Sequence, residues 1–234
     1  MKTIILAGGL GTRFSEETEN NPKPMILIDH RPILWHIMDI YASQGHSDFV
    51  IATGYKSEVI EDWIQKLNTD WKITAIDTGL KTQTGGRIKR CIQQFDDESF
   101  FVTYGDGLGN INLTNLIEIH NSRKATVTVT AVRPPARFGY MESENGLVTK
   151  FGEKNQTSEG WINGGFFMMN RSVVEYIDGD DEPFETGALP RITSKGEFYC
   201  YQHEGFWFPM DTRNEQKVLN QFSQQKHIPW KAFY

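Results

Sequence analysis

The sequence predicts one α/β domain over residues 1–234, a mixed, mainly parallel sheet flanked by helices, with a more β-rich C-terminal half. Three observations carry this. Up to about residue 132, short apolar runs alternate with amphipathic helical stretches, the pattern of strands joined by crossover helices. Phe100 to Tyr104 is nearly all apolar, as a strand covered on both faces must be. After Arg133 the rhythm shortens to hairpin-like segments around Asn145-Gly146, a strong tight-turn signal.

The elements follow in order. Thr3 to Ala7 is a buried first strand ending in glycines. Gly8 to Arg31 reads as one long loop, and loops of that length in a compact domain are usually functional or disordered. Pro32 to Ser43 is a helix with Pro32 at its first position and Ile33, Ile37, Ile40 and Tyr41 on one face. Phe49 to Thr53 is a strand, and Ser57 caps a helix carrying Ile60, Trp63, Ile64 and Leu67. Trp71 to Ile76 is a third strand. Gly85-Gly86 opens a basic amphipathic helix, which leads to the Phe100 strand and the turn Gly105-Asp106-Gly107. A helix near Leu113 to Asn121 and a strand from Ala125 to Val132 complete a Rossmann-like half, about residues 1–132. In the second half, about 133–234, Tyr140 to Ser143 and Leu147 to Phe151 form a hairpin. Trp161 to Met169 is a strand interrupted by Gly164-Gly165. Ser172 to Ile177 is a short helix and Phe198 to His203 a strand. A last helix begins near Thr212, where Thr212 and Glu215 suit a capping box.

Composition narrows the function. At 38% hydrophobic and 23% charged the chain has globular proportions. A net charge of -6 argues against a nucleic-acid partner, whose binding surface would be basic. No apolar run is long enough to span a bilayer, and Met1 to Ala7 lacks the pattern of a signal peptide. Cys91 and Cys200 show no metal or redox spacing. These features predict a cytoplasmic protein with two reduced thiols and no membrane partner.

The most informative segment is Leu6-Ala7-Gly8-Gly9-Leu10-Gly11-Thr12-Arg13. Glycines after a first strand let backbone N–H groups approach phosphate oxygens, and Arg13 adds a guanidinium fork suited to phosphate. Lys23 then sits between Pro22 and Pro24, which stiffen its backbone. A P-loop would need Gly-Lys-Ser/Thr here. A dinucleotide-binding unit would need a helix directly after the glycines, and a carboxylate after the second strand. Neither is present. Asp106 lies beyond an apolar strand, at the edge where open α/β sheets bind ligands. Asp211 precedes a helix. Taken alone, each aspartate is equally a turn or helix-start residue.

Together these segments resemble the sugar nucleotidyltransferases. The resemblance covers almost the whole chain and is nearest to their glucose-1-phosphate cytidylyltransferases. It runs through Pro32 to Met38, Asp77-Thr78-Gly79, Thr84-Gly85-Gly86-Arg87, Thr103 to Gly107, Arg137-Phe138-Gly139, Ile162 to Phe167, Pro209 to Thr212 and Pro229-Trp230-Lys231. It implies CTP and a sugar 1-phosphate as substrates and Mg²⁺ as cofactor, held by Asp106 and Asp211. It implies that Leu6, Ala7, Gly8, Gly9, Gly11, Thr12, Arg13 and Lys23 serve the nucleotide. It implies that Thr84, Gly85, Gly86 and Arg87 recognise the pyrimidine, and that Tyr104, Gly139, Glu153, Lys154, Asn163 and Gly164 take the sugar phosphate, with Lys154 on its phosphate. The expected catalytic set is Arg13, Lys23, Asp106 and Asp211.

The chain departs from the family at Asn155-Gln156, where a proline usually follows Glu-Lys, and by its shortness between Leu67 and Asp77. That shortened stretch carries subunit contacts in the family, so a homo-oligomer is an open expectation. Another acceptor (a heptose, another hexose or a polyol phosphate), another base, and a non-catalytic nucleotide-sugar-binding module remain alternatives. His36, Trp63 and Trp71 are expected to pack rather than to react. Phe206-Trp207-Phe208 suits core packing or a sugar-pocket wall.

Overall fold

The computed structural model describes residues 1–11, 21–134, 140–152 and 160–233. β1 (Lys2–Leu6) opens the chain. The stretch read from sequence as one loop holds a 3-10 turn (Lys23–Met25) and a two-rung ladder of β2 (Leu27–Ile28) and β3 (Arg31–Pro32). These pieces are too short to leave a periodic signal.

α1 (Ile33–Ala42) follows, with Pro32 as its cap rather than its first residue. Next come β4 (Asp48–Thr53), α2 (Ser57–Lys66) and β5 (Lys72–Asp77). Ser57 is the first residue of α2, not its cap. Lys56, left-handed at φ 52°, caps it without a side-chain bond. α3 (Thr84–Ile92), β6 (Ser99–Tyr104), β7 (Gly107–Gly109), α4 (Leu113–Arg123) and β8 (Val127–Val132) complete the first half.

β9 (Tyr140–Glu144) and β10 (Leu147–Gly152) form the expected hairpin. Asn145 (φ 50°) and Gly146 (φ 85°) supply the two left-handed residues that such a turn needs. The Trp161–Met169 run splits into β11 (Ile162–Asn163) and β12 (Phe167–Asn170). Between them Gly165 and Phe166 are left-handed, and a Cβ on Gly164 would lie 2.6 Å from Val132 Cγ1. A 3-10 segment (Arg171–Tyr176), α5 (Ala188–Ser194), β13 (Phe198–His203), β14 (Trp207–Pro209) and α6 (Arg213–Ser223) end the chain. Thr212 caps α6 through Glu215 N–H, as the sequence predicts.

The central sheet runs β11-β8-β12-β6-β1-β4-β5, with β13 also paired to β8. The β6-β1-β4-β5 ladders and β13-β8 are parallel, and the β11 and β12 ladders are antiparallel. Alternate side chains of each strand supply two cores. Ile5, Ile51, Phe101 and Met168 join one face with α1, Ile60, Leu116 and Leu219. Ile4, Val50, Val102 and Phe167 join the other with Ile88, Cys91, Ile92 and Ile192. Helices on both faces explain why these strands read as continuous apolar runs.

Candidate active site

The parallel strands β1, β4 and β6 end on one edge, and a cavity of about 770 Å³ opens there. Its lining joins Leu6 to Gly11, Lys23 and Pro24, Leu80 to Thr84, Arg87, Tyr104 to Asp106, and Asp211. Ligands of open α/β sheets bind at this edge. Residues 80–84 lead into the N-terminus of α3, where Gln83 N–H and Gly85 N–H donate to Asp180 O and Glu182 O, so the helix start is tied to the 180–182 segment.

The glycine loop is held from below. Gly105 N–H donates to Leu6 O at 3.1 Å, and Ala7 N–H to Ala52 O at 2.9 Å. Arg87, only 5% exposed, donates to Thr53 O (2.8 Å), to Thr78 Oγ1 (2.5 Å) and to Gly8 O (2.9 Å). A Cβ on Gly8 would lie 2.0 Å from Arg87 Nη1, and one on Gly54 2.6 Å from it. Both positions are glycine because the guanidinium lies against their α-carbons. Burial lowers the Arg87 pKa, opposed by nearby Asp77.

Asp106 and Asp211 are brought together by a ladder that the sequence did not reveal. β7 pairs antiparallel with β14, Gly107 opposite Pro209, and Met210 N–H donates to Asp106 O at 2.8 Å. Glu215 accepts from Asp211 N–H at 2.7 Å and fixes the start of α6. Lys23 Nζ lies 2.7 Å from Asp106 Oδ2 and 2.7 Å from Asp211 Oδ1. Burial works to lower the Lys23 pKa, but the two carboxylates outweigh it and hold the ammonium above its ordinary value.

Two carboxylates converging on one cation are hard oxygen donors that suit Mg²⁺, which completes its shell with water and phosphate oxygens. Among the described residues no group of three or more His, Cys, Asp or Glu gathers. Phosphate and water oxygens would therefore be needed, as a triphosphate substrate provides.

Tyr104 and Thr84 in the lining are joined by hydrogen bonds to Glu185 and Asn163. Tyr104 Oη donates to Glu185 Oε1 at 2.7 Å, Asn163 Nδ2 donates to Tyr104 Oη at 3.0 Å, and Thr84 Oγ1 donates to Glu185 Oε2 at 2.7 Å. Burial pushes the Tyr104 pKa up, and the Glu185 carboxylate adds to this. Glu185 was missed by sequence reasoning, because it sits outside any periodic segment. Gly85 and Gly86 are covered rather than open. Added Cβ atoms would lie 2.7 Å from Glu182 O and 2.6 Å from the Asp180 α-carbon. Gly164 turns its carbonyl to Trp207 Nε1 at 2.8 Å, which seats Trp207 in the core. Thr12, Arg13, Gly139, Glu153 and Lys154 lie outside the described residues.

His36 packs as expected, its Nε2 2.8 Å from Ile28 O. Trp63 and Trp71 lie against the core. Cys91 is a buried and Cys200 an exposed free thiol. Among the described residues no helix is long and apolar enough to cross a membrane.

Known proteins match this arrangement over its whole extent. The nucleotidyl transferase family model matches residues 2–221. The glucose-1-phosphate cytidylyltransferase of Salmonella typhi is 40% identical, over 100% of both chains. The probable glucose-1-phosphate cytidylyltransferase of Bacillus subtilis is 39% identical, again over 100% of each. Among solved structures, HddC from Yersinia pseudotuberculosis complexed with GMP-PN superposes with a TM-score of 0.78 at 25% identity, over 95% of this chain and 99% of that one. The chain thus belongs to the nucleotidyl transferase family, among the sugar nucleotidyltransferases, and is an active enzyme of that family.

Proposed function

We propose that the protein transfers a cytidylyl group from CTP to glucose 1-phosphate, forming CDP-glucose and releasing pyrophosphate. Nucleotidyl transfer to a sugar 1-phosphate is the coarser reading, supported by the family and by full-length relatives named for that chemistry. The observation that carries it is the meeting of Lys23, Asp106 and Asp211 on the floor of the cavity.

A sugar 1-phosphate is largely dianionic at neutral pH, with a second pKa of about 6. One of its oxygens attacks the α-phosphorus of the triphosphate. A new P–O bond forms, the bond to the β-phosphate oxygen breaks, and pyrophosphate leaves with that electron pair. No protein base is required, so the work of the chain is positioning and charge neutralisation. The backbone of Gly8 to Gly11 faces the triphosphate tail. Lys23 offsets phosphate charge, and Arg13 and Lys154 are assigned to the tail and to the sugar phosphate. Asp106 and Asp211 would hold Mg²⁺, which supplies Lewis-acid neutralisation of the α-phosphate when bound. Thr84 and the residues before it face the base. Tyr104, held by Glu185, and Asn163, which donates to Tyr104 Oη, face the sugar.

A guanine nucleotide is the second reading, favoured by the likeness to a structure complexed with GMP-PN. Pyrophosphate release with Mg²⁺, across four ribonucleoside triphosphates and a panel of sugar phosphates, separates the two. Release with CTP and glucose 1-phosphate alone supports the first reading. Release with GTP moves the base assignment, and none with any pair sinks the transfer.

A further inference from the structure

Lys23 has a built seat rather than a chance pairing. Its side chain is 13% exposed, deeper than Asp106 (35%) or Asp211 (24%). Pro22 and Pro24 stiffen the backbone on either side, and Pro24 packs on Gly105, where a Cβ would lie 3.1 Å from Pro24 Cγ. The β7-β14 ladder fixes the two aspartates from the other side. Two carboxylates held this close repel one another, and the ammonium between them offsets that repulsion.

A Mg²⁺ ion shared by the same pair would sit at about 2.0–2.1 Å from its oxygens. Two cations that close together strongly repel in a partly buried site. We infer that Lys23 is the resident counter-cation of the Asp106–Asp211 pair, and that a divalent metal binds there by displacing the Lys23 ammonium onto the nucleotide phosphates.

This exchange rests on the metal role proposed for the two aspartates, and it adds a coupling. Metal entering without nucleotide must eject an ammonium that has no anion to receive it. Metal entering with a triphosphate brings that anion. Metal and nucleotide therefore bind synergistically, with Lys23 as the link, and linkage makes the effect reciprocal.

The test needs no turnover. Mn²⁺ binding to the nucleotide-free protein is titrated by electron paramagnetic resonance, for the unaltered chain, Lys23→Gln and Asp106→Asn. The exchange expects Lys23→Gln to bind Mn²⁺ at least roughly tenfold tighter and Asp106→Asn to lose the site. In the unaltered protein, labelling of Lys23 by acetic anhydride, read by mass spectrometry, is expected to rise severalfold once Mn²⁺ fills the site, its occupancy read from the same titration. That arm stands even if Lys23→Gln fails to fold. Equal or weaker Mn²⁺ binding by a folded Lys23→Gln, or Lys23 labelling unchanged while Mn²⁺ fills the site, overturns the exchange. Mn²⁺ binding that persists in Asp106→Asn overturns the metal role itself, and with it the exchange. None of these outcomes depends on which base or sugar the enzyme uses.

Discussion

Arg87 Nη2 donates to the carbonyl oxygen of Gly8 at 2.9 Å, joining the first turn of α3 to the glycine loop across 79 residues of sequence. Nη1 of the same guanidinium reaches Thr53 O at the end of β4. One buried side chain therefore sets the height of the loop above the sheet edge. Arg87→Met strands these acceptors and is expected to cost about 3 kcal/mol of stability, measured by urea unfolding. Loosening the loop is expected to raise the nucleotide KM roughly tenfold. An unchanged KM in a destabilised protein would show that the loop keeps its place without Arg87.

Gly54 offers a second route to the same loop. It lies outside the cavity lining, yet a Cβ there would meet Arg87 Nη1 at 2.6 Å and Gly79 O at 2.9 Å. Gly54→Ala is expected to destabilise by about 1–3 kcal/mol, the usual cost of overpacking. It should also raise the nucleotide KM in the same direction as Arg87→Met. Steady-state kinetics and thermal melts check both, and a KM that stays put argues that the guanidinium can move without dragging the loop.

The aspartate pair should be separable from the fold. Asp106→Asn and Asp211→Asn keep side-chain size at partly exposed positions, so the circular dichroism spectrum should be retained. Pyrophosphate release is expected to fall roughly a hundredfold or more, since stabilising the charge that develops in the transition state supplies much of the acceleration in such chemistry. Full activity in both variants would refute their role.

Tyr104 and Glu185 are expected to act as a unit on the acceptor. Tyr104→Phe removes the hydroxyl shared with Glu185 and Asn163, and Glu185→Gln weakens the acceptor on the other side. Each should raise the KM for the sugar phosphate, and Tyr104→Phe should leave that for the nucleotide nearly unchanged, whereas Glu185→Gln also loosens Thr84. The double variant should be non-additive by about 0.5–3 kcal/mol, as for residues in one network. Strict additivity would mean that the two act separately.

Stability should depend on pH through three buried imidazoles and the half-buried His46. Burial lowers the pKa of His36, His46, His120 and His203 in the folded protein. A group whose folded pKa is depressed binds its proton more readily when unfolded. Its contribution is full above the unfolded value of about 6.5 and is lost as pH falls from there through the lowered folded value. The melting temperature is thus expected to drop between pH 7 and pH 5. His120 faces Thr128 Oγ1 at 3.0 Å and Asn170 Oδ1 at 3.1 Å. His120→Gln should shallow that slope, and an identical slope would assign the effect to other groups.

The sequence by itself determined most of the sheet and its helices, because their signals are local. Strand and helix patterns place β1, β4, β6, β13 and α1 within a residue or two, and α3 ends three residues before Phe95, which the helical pattern includes. The left-handed pair Asn145-Gly146 marks its turn because few other residues tolerate that backbone. The glycine loop, Lys23 and both aspartates were legible as candidates through the ordered motifs. What only the tertiary structure decided is which of them meet. Asp106 joins Asp211 through β7 and β14, three residues each, too short and in β7 too glycine-rich to read as strands. Arg87 looks like a solvated helix-start residue until Gly8 and Gly54 close over it. Glu185 lies in a segment without periodicity, and its place against Thr84 and Tyr104 is set by how residues 178–184 fold over α3. Local energetics choose the elements, whereas contacts between distant segments form only when the two cores bury their apolar faces on the one sheet.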